Sequence, residues 1–160
     1  MMRACESERE LLKEQGDVRR VLFVCTGNTC RSPMAAAILN ALAKKGGEER
    51  FLATSAGLFA SEGESMSEGA KHALATLGVE VPCHTARNVS DALVDEADVI
   101  VGLTATHAMQ LTLRYPHAAT KISTLPMDIN DPYGADDATY LACAEQLSLC
   151  ITLAFFGGES

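Results

Sequence analysis

The sequence of 160 residues lacks tryptophan, has only 5% aromatic residues, and contains no pair of cysteines spaced C-x-x-C. None of its four histidines has the spacing of zinc-finger ligands, so the common structural zinc sites are excluded. We therefore expect mostly free thiols and a reducing cytoplasm as the compartment. Three of the six cysteines are expected to fill the core, namely Cys83, Cys143 and Cys150.

Positive charge and long apolar runs are scarce as well. The 13 lysines and arginines are outnumbered by 21 acidic residues, which gives a formal net charge of -8. Nucleic acids and anionic membranes repel an acidic chain, so we predict binding to neither. The longest apolar run, residues 147–156, is too short to span a membrane, and the charged N-terminus has no signal-peptide core.

The chain does have the composition and length of one ordinary globular domain, with 48% hydrophobic and 21% charged residues. We assign residues 20–160 to this domain. Residues 1–19 are rich in charge and form a tail that is either disordered or a short helix.

Strand and helix patterns alternate along this domain. The β-branched run at 21–24 predicts a buried strand, and residues 33–45 predict a helix with Pro33 at its first position and Ser32 as its N-cap. Further strands are predicted at 51–55, 98–103 and 121–125, and further helices at 65–77, 90–97, 104–115 and 138–156. This order indicates a three-layer α/β fold with a parallel sheet and helices on both faces.

The loop after the first strand carries the chemical signal. Cys25 and Arg31 are spaced C-x5-R, with a strand before them and a helix after them. A loop entering a helix N-terminus points backbone N–H groups inward and binds phosphate-sized anions. Arg31 can close this cradle, and the same field favours a thiolate, so we expect a lowered pKa for Cys25. Ser32 can donate its hydroxyl to that thiolate.

Two motifs resemble a known family. Residues 24–33, Val-Cys-Thr-Gly-Asn-Thr-Cys-Arg-Ser-Pro, are similar to the signature of the low-molecular-weight protein tyrosine phosphatases, and residues 131–134, Asp-Pro-Tyr-Gly, resemble that family's general-acid loop. The similarity extends from about Arg20 to the C-terminus. It implies a four-stranded parallel sheet and a protein phosphatase that needs no metal and no cofactor.

The resemblance also implies residue roles. Cys25 is the nucleophile that forms a phosphocysteine, Arg31 stabilises the transition state, and Asp131 is the general acid and base; nearby Asp128 is interpreted as a solvated loop residue. The substrate-binding residues implied are Thr26, Gly27, Asn28, Thr29, Cys30, Ser32 and Tyr133. Phosphorylated proteins are the expected partners, and we expect a monomer.

Thr29 bears on which phosphorylated side chain is the substrate. Tyrosine-specific members usually carry isoleucine or leucine at the matching position, whereas a branch with threonine there acts on phosphoarginine in proteins. A threonine hydroxyl can accept hydrogen bonds from a guanidinium, and we therefore favour phosphoarginine. The alternative is phosphotyrosine, with Thr29 as a neutral variation.

Two further alternatives concern cysteine chemistry. Arsenate reductases on the same fold relay a disulfide through additional cysteines, but residues 101–107 contain none, which disfavours that activity. Cys25 and Cys30 lie in one loop, and we hypothesise that peroxide joins them in a reversible disulfide. The alternative is that Cys30 is a small buried residue that shapes the loop.

Overall fold

The computed structural model describes residues 18–47 and 50–157. Their strands are β1 (Arg19–Cys25), β2 (Phe51–Gly57), β3 (Val99–Gly102) and β4 (Ile122–Thr124). Their α-helices are α1 (Arg31–Lys45), α2 (Glu68–Thr76), α3 (Asp91–Glu96), α4 (Ala105–Arg114) and α5 (Asp137–Phe156), and a 3₁₀ helix spans Pro116–Lys121.

The four strands form one parallel sheet in the order β2-β1-β3-β4. Alternate side chains of β1 enter two separate cores. Phe23 packs in the core shared with α1, α2 and α5, and Val24 packs in the core shared with α3 and α4. The predicted three-layer fold is therefore confirmed. Because β1 is central, the loop after Cys25 opens at the middle of the sheet edge where ligands bind in such folds.

Most element boundaries differ from the prediction by one or two residues, and three differences concern the starts of α1, α2 and β1. Helix α1 begins at Arg31 with Cys30 as its N-cap, so Ser32 lies inside the first turn and is not the cap. Helix α2 begins only at Glu68, because Ser65 is still paired with Thr85 in an isolated bridge. Strand β1 begins at residue 19, and residues 1–17 of the predicted tail lie outside the described residues.

Within residues 18–47 and 50–157, the cysteines outside the loop divide into two groups. Cys143 and Cys150 are buried in the core, as predicted. Cys83 is half-buried and disulfide-bonded, so its assignment to core filling is wrong.

Helix α5 is the one described helix that is long and apolar enough, by length and composition alone, to cross a membrane. This helix contains the apolar run at 147–156 and extends it with residues 137–146, which include Asp137 and Glu145. Its Leu147 and Ile151 are fully buried in the same core as Phe23, which is the position of a core helix in a globular domain.

Candidate active site

The loop between β1 and α1 is fixed through its backbone. The carbonyl oxygens of Cys25, Thr26 and Thr29 accept hydrogen bonds from the N–H groups of Leu58, Phe59 and Ser67 at 2.9, 2.9 and 3.0 Å. The end of β2 lies directly against the loop: a Cβ on Gly57 would lie 2.5 Å from the Thr26 oxygen, so only glycine fits there. With these carbonyls turned outward, the backbone N–H groups of Asn28 and Ser32 act to lower the pKa of the Cys25 thiol.

Asn28 holds the curve of the loop. It has a φ of 57°, the left-handed conformation that asparagine tolerates, and it is fully buried. Its amide nitrogen donates to the hydroxyls of Ser32 at 2.9 Å and Ser55 at 3.0 Å, and its amide oxygen accepts from the Arg87 backbone N–H at 3.0 Å. His84 Nε2 lies 2.7 Å from the Asn28 carbonyl oxygen. This network therefore fixes the loop conformation from three separate segments.

The Cys25 thiol contacts the hydroxyl of Ser32, with Sγ 2.9 Å from Oγ. Asn28 donates to this hydroxyl, and the hydroxyl proton can point at the sulfur or at the Ala56 carbonyl oxygen, which lies farther away at 3.4 Å. Burial raises the pKa of Cys25, while hydrogen bonds from the Ser32 hydroxyl and from the backbone of Ser32 and Asn28, together with the Arg31 charge, act to lower it. The sequence-based prediction of a lowered pKa is wrong in this structure, because desolvation of the buried thiol outweighs its donors.

Arg31 and Asp131 come together across 100 positions of sequence. The Arg31 side chain is almost fully buried; Nη1 donates to the Ile129 carbonyl oxygen at 3.0 Å, and Nη2 lies 3.6 Å from Asp131 Oδ2. Asp131 also accepts the Tyr133 backbone N–H at 3.1 Å, which orients its carboxylate. Asp128 is exposed and accepts instead from the backbone N–H of Ala105 at 2.9 Å.

These groups line one cavity of about 240 Å³. Eight predicted residues line it together with Asp131, namely Cys25, Thr26, Gly27, Asn28, Thr29, Cys30, Arg31 and Tyr133. Ser32 does not line it, because its hydroxyl lies behind the Cys25 thiol. The Cys30 thiol lies 3.2 Å from Ser67 Oγ and 3.5 Å from Tyr140 Oη.

Residues 20–154 match the family model described as low molecular weight phosphotyrosine protein phosphatase. The chain belongs to that family. It is 38% identical over 139 residues to a protein-arginine-phosphatase from Geobacillus stearothermophilus, across 82% of this chain and 90% of the relative. The predicted family and the predicted class, a cysteine-dependent protein phosphatase acting on phosphorylated proteins, are therefore confirmed.

Solved structures of low-molecular-weight phosphatases share the fold. The YwlE arginine phosphatase from G. stearothermophilus has a TM-score of 0.76 and 36% identity, and the match covers 83% of this chain and 88% of that one. A low molecular weight protein tyrosine phosphatase from T. tengcongensis has a TM-score of 0.79 and 41% identity, with 83% and 95% covered. The chain is thus similar to both arginine and tyrosine phosphatases.

Sequence reasoning missed His107 in this phosphatase. Its Nε2 lies 2.9 Å from the Thr26 hydroxyl in the loop, and its Nδ1 lies 2.9 Å from the Thr104 hydroxyl that caps α4. Burial, aided by the positive charge of Arg31, lowers the pKa of His107 to about 4. The ring is therefore neutral at pH 7 and links the loop to the end of β3.

Three cavity residues were also missed, Phe59, Ser61 and Glu64, all from the segment after β2. The signal that points to them is positional: β2 is the neighbour of β1, and the carboxyl ends of parallel strands lie at the same edge of the sheet. The low-molecular-weight phosphatase cavity therefore has walls from three segments, after β1, after β2 and before α5.

Proposed function

We propose that this phosphatase hydrolyses phosphoarginine in proteins through a phosphocysteine on Cys25. The observation that carries the choice of substrate is Thr29, a hydroxyl-bearing side chain in the wall of the cavity. Its Oγ1 has one weak contact, 3.7 Å to Cys30 Sγ, so the oxygen can accept a hydrogen bond from a substrate guanidinium. The similarity to protein-arginine-phosphatases supports the same choice.

The surroundings of Thr29 limit how far it can adapt to another substrate. Thr29 is buried, and its carbonyl oxygen accepts a hydrogen bond from the Ser67 N–H at 3.0 Å. A side chain fixed in this way presents one polar atom at a constant position. Leaving that oxygen unpaired against an apolar phenyl ring would cost roughly 1–3 kcal/mol, which favours a polar leaving group.

In the first proposed step, the Cys25 thiol transfers its proton to a phosphoryl oxygen of the substrate, and its sulfur attacks phosphorus in line with the leaving nitrogen. The S–P bond forms as the P–N bond breaks, and Asp131 transfers its proton to the departing guanidine nitrogen. Arg31 and the loop N–H groups bind the three equatorial oxygens, whose charge is greatest in the transition state. The 3.6 Å separation between Arg31 and Asp131 brings the acid next to the phosphate position.

In the second proposed step, Asp131 takes a proton from water, which attacks phosphorus. The S–P bond breaks, inorganic phosphate forms, and the sulfur leaves as a thiolate. The Ser32 hydroxyl, 2.9 Å from Cys25, donates to that thiolate and lowers its free energy. Proposed substrate contacts are made by the remaining loop residues and by the mouth residue: Thr26, Gly27, Asn28, Cys30 and Tyr133.

Phosphotyrosine is the second candidate substrate, and one observation favours it. The rings of Phe59 and Tyr133 line the cavity and are about 70% exposed. Exposed aromatic rings at a cavity mouth can pack against a phenyl group. The same rings can also stack on a planar guanidinium, so they do not exclude phosphoarginine.

The deciding test compares phosphoarginine and phosphotyrosine in peptides of otherwise identical sequence. For Thr29→Ile we expect the ratio of kcat/KM for phosphoarginine to kcat/KM for phosphotyrosine to fall about tenfold or more, since one polar contact is lost and one apolar contact is gained. Thr112→Ile, at an exposed position on α4, is the matched control. An unchanged ratio in Thr29→Ile contradicts the role of Thr29.

We also propose the Cys25–Cys30 disulfide as a reversible protected state. Peroxide would oxidise the Cys25 thiolate to a sulfenic acid, and the Cys30 thiol would condense with it and release water. Cys30→Ser should then recover less activity than wild type when thiol is added after peroxide. Equal recovery argues for Cys30 as a loop-shaping residue. A cytoplasmic monomer stays our proposal for compartment and assembly.

A further inference from the structure

Glu64 is an acidic side chain in the wall of the cavity that the catalytic steps above do not use. It lines the cavity with Thr29, Arg31 and Asp131, and it is exposed. Across residues 18–47 and 50–157, no side-chain hydrogen bond or ion pair involves its carboxylate. A carboxylate here repels a phosphate dianion, so on its own it weakens binding of every phosphorylated substrate.

The position of Glu64 is set by its backbone. Its carbonyl oxygen accepts the Ala86 N–H at 2.8 Å, and its own N–H donates to the Ser61 carbonyl at 3.2 Å. Gly63, with a φ of 86°, makes the turn just before it. Three residues later, the Ser67 N–H bonds the Thr29 carbonyl at 3.0 Å. The segment is therefore tied both to residues 85–86 and to the phosphate-binding loop, which fixes the backbone from which the Glu64 side chain reaches the cavity wall.

We propose that Glu64 is a specificity-determining residue that binds the guanidinium group of the phosphoarginine substrate. This inference rests on the proposed function. A phosphorylated guanidinium keeps its positive charge and several N–H donors, whereas a phosphotyrosine ring offers neither beyond its phosphate. Carboxylates are the strongest protein acceptors for guanidinium N–H groups.

In this proposal, each of the three cavity walls contacts a different part of the guanidinium group. Asp131, from the segment before α5, reaches the nitrogen that leaves phosphorus, and Glu64, from the segment after β2, binds the remaining N–H groups. Thr29 supplies a neutral acceptor, and the rings of Phe59 and Tyr133 offer faces for the planar cation. The repulsion between the Glu64 carboxylate and the phosphate is offset only when the substrate carries a positively charged group next to its phosphate, as phosphoarginine does.

This arrangement predicts effects of opposite sign, which a merely structural role would not produce. We compare wild type, Glu64→Gln and Glu80→Gln; Glu80 is an exposed residue outside the cavity, and its substitution makes the same change in charge. For Glu64→Gln we expect kcat/KM on a phosphoarginine peptide to fall about tenfold, mainly through KM, as expected for loss of one charge-assisted contact. Activity on the matched phosphotyrosine peptide should hold or rise about twofold, since repulsion is removed.

Inorganic phosphate has no leaving group, so its inhibition constant as a competitive inhibitor measures binding of the phosphate alone. Its inhibition constant should decrease about twofold to threefold in Glu64→Gln, and this gain should shrink as salt is added. If wild type hydrolyses phosphoarginine and Glu64→Gln matches Glu80→Gln on all three probes, the role of Glu64 is overturned and the proposed function stands. Equal losses on all probes would assign Glu64 a structural role and also overturn it. If wild type does not hydrolyse phosphoarginine, the proposed function fails, and the inference fails with it.

Discussion

The floor and the rim of the cavity are built in different ways. The floor is the loop from Cys25 to Ser32 without Thr29, and in it the fully buried Asn28 and Ser32 form one hydrogen-bond network with the Cys25 thiol. The rim is made of exposed side chains from separate segments, among them Phe59, Glu64 and Tyr133. In the proposed function, the floor holds a phosphate, which all substrates share, and the rim contacts the group that distinguishes them. Substitutions in the floor should thus impair all substrates alike, and substitutions in the rim or at Thr29 should change their ratios.

The largest effect is expected at Asp131, which stands between the two regions. Asp131→Asn should lower kcat about 100-fold to 1,000-fold on phosphoarginine and phosphotyrosine peptides, because the leaving group loses its proton donor. With an aryl phosphate whose leaving group needs no proton, the loss should be much smaller. Asp128→Asn is the matched control, since an asparagine oxygen can still accept from Ala105. A comparable loss in Asp128→Asn would reassign the acid.

A smaller and uniform effect is expected in the floor. Ser32→Ala should raise the pKa of Cys25 further, because it removes the hydroxyl that stabilises the thiolate, and kcat should fall about tenfold on every substrate. The pH dependence of alkylation by iodoacetamide reports this pKa. Ser55→Ala removes the other hydroxyl partner of Asn28 without touching the thiol, so its titration curve should match wild type. Coincident curves for Ser32→Ala and wild type would contradict the role of Ser32.

The smallest effect concerns the stability of the link between the floor and β3. His107 has a pKa of about 4 in the folded protein, below the ordinary value of about 6.5, so it stays neutral while the unfolded chain takes up a proton. The contribution of the neutral His107 ring to the free energy of unfolding is complete above pH 6.5 and is lost as the pH falls toward 4. The loss should be about 2 kcal/mol, allowing for partial screening.

Urea unfolding between pH 7 and pH 4.5 measures this contribution. The free energy of unfolding of wild type should decrease more than that of His107→Gln over this interval. His72 and His117, which lie near Asp137 and Asp95, are present in both proteins, so their titration cancels in the comparison. Parallel pH profiles for the two proteins would show that His107 is not held neutral by the fold.

The chemistry of the floor could be predicted from the sequence because it is local. Cys25 and Arg31 are six residues apart, and a strand before them and a helix after them are enough to define a phosphate-binding loop. The role of Asp131 is a prediction that rests on the resemblance of residues 131–134 to the family's general-acid loop. Ser32 was misassigned as an N-cap because a capping hydroxyl and a thiol-binding hydroxyl have the same sequence signal.

The remaining features depend on tertiary contacts that no local pattern encodes. Asn28 meets Ser55 and the Arg87 backbone at sequence separations of 27 and 59, and Thr26 meets His107 at a separation of 81. The raised pKa of Cys25 reflects the depth of burial, which follows from packing around the loop. The rim residue Glu64 lies in a loop whose path was not predicted, because its strand-like pairing at Ser65 and Thr85 is an isolated bridge.

The segment after β2 is held through its own main chain at Phe59, Ala60, Gly63 and Glu64, and through the Glu62 side chain, which accepts hydrogen bonds from Asn88. The side chains at positions 59, 61 and 64 make none of these hydrogen bonds, so they can be exchanged without removing any of them. Such a segment is suited to diversification, in a laboratory library or in natural lineages, because new leaving groups can be admitted at positions 59, 61 and 64 while the bond-breaking residues stay untouched. Substrate selectivity can therefore evolve separately from the rate of the chemical step.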